Sequence, residues 1–348
     1  MKLGKLFLML LFVAGVLTGC DAGSSRSVQQ EVNVYNWGEY IDPEILTRFE
    51  QETGIHVVYS NFATNEDLYV KLKNGGATYD VIVPSEYMLQ RMVQEDMLLP
   101  MNYKNIPNMA NIDPQFMHKA FDPEQKYSAP YFWGTVGILY NKKLVSDPVT
   151  SWDILWNPKY ARQIIMLDSS RDSFMISLVR AGVSSNSTKR SDLEAARADL
   201  IRQYPLVYAY LIDEIRDLMI NGENALAVMY SGDAFAAMQE NPNLDYVAPP
   251  EGGNLWFDLF AIPKGCRNKE NAEKFINFML RPDIMAKNAA WVGYSLPSEK
   301  GRALLPEEIQ HSPVAYPDPS VYKNYEVFEY IGDFVSVYDQ MWQDVKNQ

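Results

Sequence analysis

The feature that most constrains the fold of this 348-residue chain is an alternation of short strands and amphipathic helices. Three short apolar runs predict strands, at residues 32–35, 55–59 and 80–83. A segment with apolar side chains at helical spacing follows each run, at residues 43–53, 65–72 and 85–95. Parallel strands need a crossover between them, and helices supply it. The order therefore predicts an α/β fold with a parallel sheet and helices on both of its faces.

The first of these helices carries clear end signals. Asp42 precedes it and can accept a hydrogen bond from a free backbone N–H group as an N-cap. Pro43 fits the first helical position, where no N–H group is needed. Gly54 can adopt the left-handed conformation that ends many helices. We therefore expect a helix that begins at residue 43 and stops before Gly54.

The alternation resumes in the second half of the chain. Further strands are predicted at residues 164–167, 225–230 and 246–247. Helices are predicted at residues 173–181, 193–203, 234–239, 269–280 and 327–345. Two proline-rich segments, 122–130 and 249–253, are interpreted as surface loops or as strands that flank a hinge. The chain has the length of two domains and shows no internal repeat.

The first nineteen residues are typical of a secretory signal peptide. Lys2 and Lys5 precede an apolar run at residues 6–16 that is too short to span a bilayer. The ending Leu17-Thr18-Gly19-Cys20 resembles the bacterial lipoprotein box, in which the cysteine receives a diacylglyceryl group. The alternative is that Cys20 is an ordinary thiol near a different cleavage site. Residues 20–30 are rich in small and polar side chains and are interpreted as a flexible tether to the membrane.

The acidic composition restricts the partners of the chain. It has 31 basic and 44 acidic residues, a net charge of −13. Removal of residues 1–19 removes two lysines, so the processed chain carries 29 − 44 = −15. Nucleic acid is disfavoured as a partner, because phosphate contacts need a basic surface, and cationic ligands are favoured. Beyond Cys20 the sequence holds one cysteine, Cys266, so no internal disulfide is expected.

Aromatic and acidic side chains recur together where predicted strands end. An aromatic face attracts an organic cation and covers its methylene groups, and a carboxylate accepts charge-assisted hydrogen bonds from its ammonium groups. Ligands of open α/β sheets bind beyond the carboxyl ends of the strands. The motifs are Tyr35-Asn36-Trp37-Gly38-Glu39-Tyr40, Pro84-Ser85-Glu86-Tyr87, Tyr230-Ser231-Gly232-Asp233 and Trp256-Phe257-Asp258.

Each acidic candidate also has a plainer interpretation. Glu39, Glu86 and Asp172 can be solvated surface charges, and Asp233 can cap the helix that follows it. Asp258 differs, because it lies within an otherwise apolar run at residues 255–263. A carboxylate in such a run must find a partner or face a cleft. Asp258 is therefore the strongest single candidate for a ligand contact.

The sequence gives little support to an enzyme. The three histidines, His56, His118 and His311, are not paired at metal-ligand spacing, and one free cysteine cannot form a zinc site. No phosphate-binding loop, dinucleotide-binding glycine pattern or nucleophile elbow is present in the sequence. We expect no catalytic residue, no metal and no cofactor. Sugars and transition metals remain alternative ligands, but the acidic and aromatic pattern favours organic cations.

Several motifs resemble the spermidine/putrescine-binding proteins of polyamine ABC transporters, a family of two-domain periplasmic solute-binding proteins. They are Tyr35-Asn36-Trp37-x-Glu39-Tyr40, Phe49-Glu50-x-Glu52-Thr53-Gly54-Ile55, Tyr79-Asp80-Val81-Ile82-Val83-Pro84-Ser85, Pro130-Tyr131-x-Trp133-Gly134, Ser151-Trp152-x-x-Leu155-Trp156 and Val292-Gly293-Tyr294. The resemblance implies a type II periplasmic-binding-protein fold, whose two α/β domains close on a ligand. It implies a first domain of residues 31–137 and 259–309, and a second of residues 138–258 and 310–348.

The resemblance also implies roles for individual residues. Asp258 matches the carboxylate that grips one ammonium group, Ser85 a polar contact of the first domain and Asp172 an acidic contact of the second. Glu39 is the acidic member of the first motif, and Asp233 is similar to an acidic position of putrescine-preferring members. The aromatic walls of the polyamine site match Trp37, Tyr40, Tyr87, Trp256 and Tyr294, and Tyr230 stands where spermidine-preferring members have a tryptophan.

Further departures from the family bear on the choice of ligand. Ser169 stands where spermidine-preferring members have an aspartate, although Asp168 beside it can substitute, and Phe328 stands where they have a glutamine. We therefore expect binding of both putrescine and spermidine, with putrescine at least competitive. The expected partner is the membrane permease of an ABC transporter, and the expected location is extracytoplasmic at a membrane surface. A binding protein for another organic cation, a ligand sensor and, last, an enzyme on the same fold remain as alternatives.

Overall fold

A computed structural model describes residues 30–75 and 78–348. The predicted signal peptide, Cys20 and the predicted tether up to residue 29 lie outside the described residues, so these assignments stay predictions. No helix in the described part of the chain combines the length and the apolar character needed to cross a membrane.

Nine strands of the described residues form one curled sheet with the order β2-β1-β3-β9-β4-β7-β5-β6, and β8 lies beside β4. The strands are β1 (Glu31–Trp37), β2 (His56–Phe62), β3 (Val81–Ile82), β4 (Ser128–Asn141), β5 (Ile164–Leu167), β6 (Val207–Leu211), β7 (Leu226–Tyr230), β8 (Leu244–Val247) and β9 (Leu255–Ala261).

The sheet is mixed, whereas the sequence predicted mostly parallel pairing. Strand β1 is parallel to β2 and β3, and β5 is parallel to β6 and β7. At the centre, β4 is antiparallel to β7, β8 and β9, and β3 is antiparallel to β9. The first part of β4 pairs with β9 and its last part with β7 and β8. The predicted domain boundaries at residues 137/138 and 258/259 fall within β4 and β9, the third, at residues 309/310, falls within the helix Glu307–Gln310, and all three stay predictions.

Helices cover the sheet. They are α1 (Pro43–Thr53), α2 (Asn65–Lys73), α3 (Glu86–Gln94), α4 (Ser170–Arg180), α5 (Arg190–Gln203), α6 (Glu214–Asn221), α7 (Ser231–Glu240), α8 (Lys269–Met279), α9 (Pro282–Val292), α10 (Glu299–Arg302), α11 (Glu307–Gln310) and α12 (Phe334–Lys346). Short 3₁₀ helices lie at Tyr103–Asn105, Pro107–Asn111, Pro114–Phe116, Trp152–Trp156, Pro158–Tyr160 and Tyr204–Leu206.

The predicted ends of α1 are confirmed. The Asp42 carboxylate accepts a hydrogen bond of 2.9 Å from the backbone N–H of Glu44. Pro43 is the first helical residue, and Gly54 has a φ of +70°. The N–H group of Gly54 donates to the carbonyl of Glu50 at 2.8 Å. These signals act locally, which is why the sequence alone could place them.

The last helix is shorter than the predicted helix at residues 327–345, because it begins at Phe334. Side chains from elsewhere take the backbone N–H groups of the preceding residues, since Tyr330 donates to Gln90 Oε1 at 2.6 Å and Glu329 to Asn186 Oδ1 at 2.9 Å. Gly332 then turns with a φ of +57°. The apolar side chains of this segment are buried by tertiary contacts and not by a helix.

A large apolar core lies between the sheet and its helices, and a smaller cluster joins α4, α5 and α12. In this smaller cluster Phe174, Leu200 and Trp342 are almost fully buried. The strands and α-helices that the sequence did not predict are β6, β9, most of β4, α6, α9, α10 and α11, and the beginning of β4 lies in a segment interpreted as a loop or a hinge strand. The core fixes the ends of β1, β3, β5 and β7, where the candidate residues lie.

Candidate ligand-binding site

Strand ends and helix beginnings position the candidate side chains. Strand β1 ends at Trp37, and β7 ends at Tyr230 directly before α7. Ser85 is the N-cap residue of α3, and Ser169 is the N-cap residue of α4. Trp37 and Tyr230 are thus the last residues of their strands, and Ser85 and Ser169 follow the ends of β3 and β5 closely. The arrangement brings parts of the first and second halves of the chain to one place beside β9.

Asp258 lies at the centre of this arrangement and is 6% exposed. Its Oδ2 atom accepts a hydrogen bond of 2.5 Å from the Tyr40 hydroxyl, and its Oδ1 atom accepts one of 2.7 Å from the Ser85 hydroxyl. Burial raises the pKa of Asp258 to about 6, although both hydroxyls lower it. No lysine or arginine of residues 30–75 and 78–348 forms a salt bridge with this carboxylate. Asp258 is therefore a buried acid without a cationic partner among the described residues.

Glu86 is a second buried acid, and no ligand contact was assigned to it from the sequence. It is 1% exposed, because the start of α3 lies against β9 through the Ser85–Asp258 bridge. Its Oε2 atom accepts a hydrogen bond of 2.8 Å from the backbone N–H of Phe257. Burial raises the pKa of Glu86 to about 8, and the carboxylates of Asp258 and Asp172 also raise it. The interpretation of Glu86 as a surface charge is therefore wrong. The sequence feature that could have identified Glu86 as a site residue is its position between Ser85 and Tyr87 in a candidate motif.

Asp172 forms the acidic end of the site on α4 and is 4% exposed, so it is not a surface charge either. It accepts hydrogen bonds from the Ser169 hydroxyl at 2.8 Å and the Tyr230 hydroxyl at 3.1 Å. The Asn254 amide donates to it at 3.3 Å. Burial raises the pKa of Asp172. The Asn254 Oδ1 atom is buried and has no hydrogen-bond partner in the described structure, so it is an available acceptor beside this carboxylate.

Arg171 is a buried cation next to Asp172, but its guanidinium faces another way. It lies 4.4 Å from the ring centre of Phe328 and donates to the carbonyl of Glu329 and to Asn186 Oδ1. Burial lowers the pKa of Arg171, and the nearby acids Asp172 and Glu86 oppose that shift. Phe328 is buried against this cation instead of presenting a polar group. The positive charge therefore balances only part of the acidic charge of the site.

Aromatic side chains connect the two acidic ends. The Tyr40 and Tyr294 rings are 5.4 Å apart between centres, the Tyr294 and Trp256 rings 5.2 Å, and the Trp256 and Tyr230 rings 6.1 Å. The Tyr40 hydroxyl donates a hydrogen bond to Asp258, and the Tyr230 hydroxyl donates one to Asp172. The four rings therefore form an aromatic wall that runs from one carboxylate to the other. The Trp256 Nε1 atom is buried without a partner among the described residues.

A glycine allows the wall to close. A Cβ atom at Gly232 would overlap the ring of Tyr294. The Tyr294 hydroxyl donates a hydrogen bond of 2.6 Å to Asp233. Burial raises the pKa of Asp233, while Tyr294 and Arg216 lower it. Asp233 is not the N-cap of α7, because Tyr230 occupies that position. The helix-cap interpretation of Asp233 is therefore wrong, and the residue contacts the aromatic wall.

The remaining candidates differ in their surroundings. The Tyr87 hydroxyl accepts a hydrogen bond from Asn65 Nδ2 at 3.1 Å and donates to Glu66 Oε1 at 3.3 Å. Trp37 is half-buried, and its Nε1 atom has no partner in the part of the chain that is described. Glu39 is exposed in a turn with a φ of +48°. Tyr87 thus lies beside Glu66 and within electrostatic range of Glu86, and the ligand contacts of Trp37, Glu39 and Tyr87 stay predictions.

Asp168 does not replace an acid at the Ser169 position. Its carboxylate accepts hydrogen bonds from Trp342 Nε1 at 2.9 Å and Lys346 Nζ at 2.6 Å, which tie it to α12. Within the described residues, no group of three or more histidine, cysteine or acidic side chains is arranged to hold a metal ion. The chemistry of the site is that of carboxylates separated by aromatic faces. Such a site can hold an elongated organic cation.

The acids and aromatic rings of this site come from both halves of the chain and meet beside β9. The family model that matches residues 44–316 is described as bacterial extracellular solute-binding protein. The chain belongs to this family, whose members are transport proteins and not enzymes. The fold is the two-domain periplasmic-binding-protein fold that the sequence predicted.

Three proteins show which members of the family this chain is similar to. The spermidine/putrescine-binding periplasmic protein of Escherichia coli (strain K12) is 38% identical over 339 residues, which is 97% of each chain. The substrate-binding protein of a spermidine/putrescine ABC transporter from Streptococcus pneumoniae is 42% identical, with a TM-score of 0.82 over 91% of this chain and 99% of its own. A lipoprotein of Treponema pallidum is 26% identical, with a TM-score of 0.85 over 92% of this chain and 100% of its own.

Proposed function

We propose that this protein captures putrescine and spermidine outside the cytoplasm and delivers them to the permease of an ABC transporter. The observation that carries the proposal is Asp258, a buried carboxylate that has two hydroxyl donors and no basic partner among the described residues. An ammonium group supplies the missing positive charge and donates the hydrogen bonds. The spermidine/putrescine-binding relatives support the same ligand class.

The length of the site favours a flexible chain with charged ends. Asp258 and Asp172 lie at opposite ends of the Tyr40–Tyr294–Trp256–Tyr230 wall. A polyamine has ammonium groups joined by methylenes, so its ends meet the carboxylates while its middle lies along the rings. A sugar offers no charge to these acids, and an anion is repelled by them. We propose ligand contacts for Trp37, Glu39, Tyr40, Ser85, Tyr87, Asp172, Tyr230, Asp233, Trp256, Asp258 and Tyr294.

Capture occurs by closure of two domains, the first of residues 31–137 and 259–309 and the second of residues 138–258 and 310–348. Contacts between these segments support the proposal, since Tyr294 bonds Asp233 and the backbone of Tyr330 bonds Gln90. The Arg91 guanidinium also lies 5.4 Å from the Tyr330 ring centre. The acidic surface attracts the cation before closure, and exclusion of water then strengthens the charge pairs.

Membrane attachment is part of the proposal. The sequence Leu17-Thr18-Gly19-Cys20 supports lipidation of Cys20, and residues 20–30 provide the tether. The similar Treponema pallidum protein is a lipoprotein. The anchor holds the loaded protein near its permease. Mass spectrometry of the membrane fraction tests this step, because a Cys20→Ser variant must lose both the acyl mass and the membrane association.

We expect the protein to bind both amines, with putrescine at least competitive. Ser169 and Phe328 offer no charge to a distal ammonium group, and Asp233 provides an acid near Tyr294. Parallel calorimetric titrations under equal conditions measure the preference. Spermidine favoured by about a hundredfold or more, a difference of about 2.7 kcal/mol, would contradict this part of the proposal.

The sharpest test of the site is Asp258→Ala. Removal of this carboxylate leaves an ammonium group without its partner, and we expect a loss of about 2–5 kcal/mol in the binding free energy of either amine. Glu124→Ala is the matched control, since Glu124 is 81% exposed and the variant has the same change in net charge. A change of less than about threefold for the Asp258 variant would remove the centre of the proposed site.

A further inference from the structure

We propose that Glu86 determines specificity within the site: its carboxylate pairs with the internal secondary ammonium group of a linear triamine whose ends lie at Asp258 and Asp172. The inference rests on the proposed binding of polyamines. It adds a residue outside the proposed ligand-contact set. It also names the chemical feature that this residue recognises, a positive charge in the middle of the ligand.

Glu86 lies beside Asp258, where the beginning of α3 packs against β9. Ser85 forms a bridge with Asp258, and Glu86 accepts a hydrogen bond from Phe257, the residue before Asp258. The Asp172 carboxylate at the start of α4 also contributes to the raised pKa of Glu86, so the two acids interact electrostatically. Glu86 is thus close to both acids that receive the ends of the ligand. A carboxylate in this position meets the interior of an extended ligand.

Few hydrogen-bond donors surround the Glu86 carboxylate. Phe257 supplies one backbone N–H group from another segment and Glu86 supplies its own, and no lysine or arginine of the described residues forms a salt bridge with Glu86. Arg171 is nearby but donates to Glu329 and Asn186 instead. A buried carboxylate with so few donors is costly unless a cation joins it. The raised pKa of Glu86 has the same cause.

The formal charge of the site is equal in size and opposite in sign to that of a protonated triamine. If each group is counted in its charged form, the buried acids Asp258, Glu86 and Asp172, the half-buried acid Asp233 and the buried cation Arg171 carry a formal charge of −4 + 1 = −3. Spermidine with all three amines protonated neutralises this charge. A diamine leaves one negative charge, so Glu86 keeps its proton when putrescine is bound. Both ligands therefore fit, but only the triamine ionises Glu86.

Other titratable groups also face this position and must be considered in any pH experiment. They come from the turn after β1, from α3, from α4, from β7 and from β9, and they are Tyr40, Tyr87, Arg171, Asp172, Tyr230 and Asp258. Burial raises the pKa of each of the tyrosines well above its usual value, so they stay neutral. The carboxylates are therefore the groups of the site that can gain or lose a proton near neutral pH.

The experiment compares three ligands by calorimetry: spermidine, putrescine and octamethylenediamine. The last has the chain length of spermidine but a methylene group in place of the internal ammonium. Glu86→Gln keeps an acceptor for the Phe257 N–H group and removes the charge. Glu66→Gln is the control, since Glu66 bonds the neighbouring Tyr87 hydroxyl and the variant has the same change in charge.

We expect Glu86→Gln to weaken spermidine about 30-fold or more, the size expected when a buried charge pair loses one partner. Putrescine and octamethylenediamine should change less than about threefold, and Glu66→Gln should leave all three ligands within that range. Equal losses for the three ligands, or no loss, would overturn the role of Glu86 while leaving polyamine binding intact. A folded wild-type protein that binds neither natural amine would overturn the proposed function and this inference together.

A second measurement needs no variant. Titration of the wild-type protein at pH 7 in buffers of different ionisation enthalpy counts the protons released on binding. Spermidine should release more protons than octamethylenediamine, because it ionises Glu86. Equal proton release by the two ligands would overturn the inference even if Glu86→Gln fails to fold.

Discussion

Asp80 and Glu86 lie on either side of β3 and are both 1% exposed, yet their surroundings are opposite. Asp80 accepts hydrogen bonds of 2.9 Å from the backbone N–H groups of Asn33, Arg267 and Asn268. Glu86 accepts one from the backbone of a distant segment, at Phe257. Burial raises the pKa of both carboxyls, but the donors around Asp80 outweigh it and lower its pKa, whereas the pKa of Glu86 rises to about 8.

The comparison separates two uses of a buried acid. Asp80 ties β1 and the start of α8 to β3, and its hydrogen-bonding capacity is filled by the protein itself. Glu86 and Asp258 retain capacity that a cationic ligand can fill. Burial of these two carboxylates without a cation lowers the stability of the ligand-free protein, and binding of a cationic ligand compensates for that loss. Stability and affinity should therefore respond in opposite ways to changes in the two regions.

The largest expected effect is on the side of Asp80. Asp80→Asn replaces a charged acceptor among N–H donors by an amide that also donates, and we expect a loss of about 3–5 kcal/mol in the free energy of unfolding. Urea unfolding measures it. Asp258→Asn is the comparison variant and should cost little stability or add some, because it removes an unpaired charge. If the two variants destabilise equally, the distinction between the regions is lost.

The pH dependence of stability sharpens the comparison for Glu86. Its folded pKa of about 8 exceeds the unfolded value, so its contribution to stability is fully present below the unfolded pKa and is lost as pH rises through about 8. We expect the free energy of unfolding of the ligand-free protein to fall between pH 5 and pH 9 by on the order of 2–4 kcal/mol more than that of Glu86→Gln. Parallel pH profiles for the two proteins would contradict the raised pKa.

Affinity should depend on pH through Asp258. A cation favours its ionised form, and the pKa of Asp258 in the free protein is about 6. Protonation competes with the ligand below that value, so the affinity for putrescine should fall about tenfold for each pH unit below 6. Calorimetric titration at pH 7, 6 and 5 measures the fall. The profile of Asp258→Asn should be flatter, and an equally steep profile would assign the effect to another group.

The smallest expected effect concerns Asn254. Its Oδ1 atom is a buried acceptor without a partner in the described structure, next to Asp172. Asn254→Leu keeps the size of the side chain and removes this acceptor, and we expect about a three- to tenfold loss of affinity for either amine. Asn254→Leu also removes the amide donor to Asp172, so Tyr230→Phe, which removes only a donor to this carboxylate, provides the comparison. An unchanged affinity in Asn254→Leu would show that the ligand does not reach this oxygen.

Local signals made much of the fold predictable. The caps of α1 and the apolar run of β5 depend on neighbouring residues only, and both lie where the sequence places them. The start of α12 and the course of β4 depend on distant partners, such as Gln90 for Tyr330 and β9 for β4. Propensity cannot register such contacts, which is why the predicted last helix was too long.

The site was predictable to a similar extent. Asp258 is recognisable as a carboxylate in an apolar run, and the structure gives it two hydroxyl donors and no cation among the described residues. Glu86 and Asp80 are both acids beside a buried strand, and the sequence does not show how many N–H groups will surround each. That number depends on β9 and α8, which are more than 160 positions away along the chain. The distinction between a structural and a ligand-binding acid therefore needed the structure.

The most direct test of the account is calorimetric titration of the processed protein, freed of co-purified ligand, with spermidine and putrescine in two buffers of different ionisation enthalpy. The account predicts saturable one-to-one binding at micromolar or tighter affinity, with more protons released by spermidine than by putrescine. A folded protein that gives no saturable heat with either amine would contradict the central claim that its buried, unpaired acids bind polyamines.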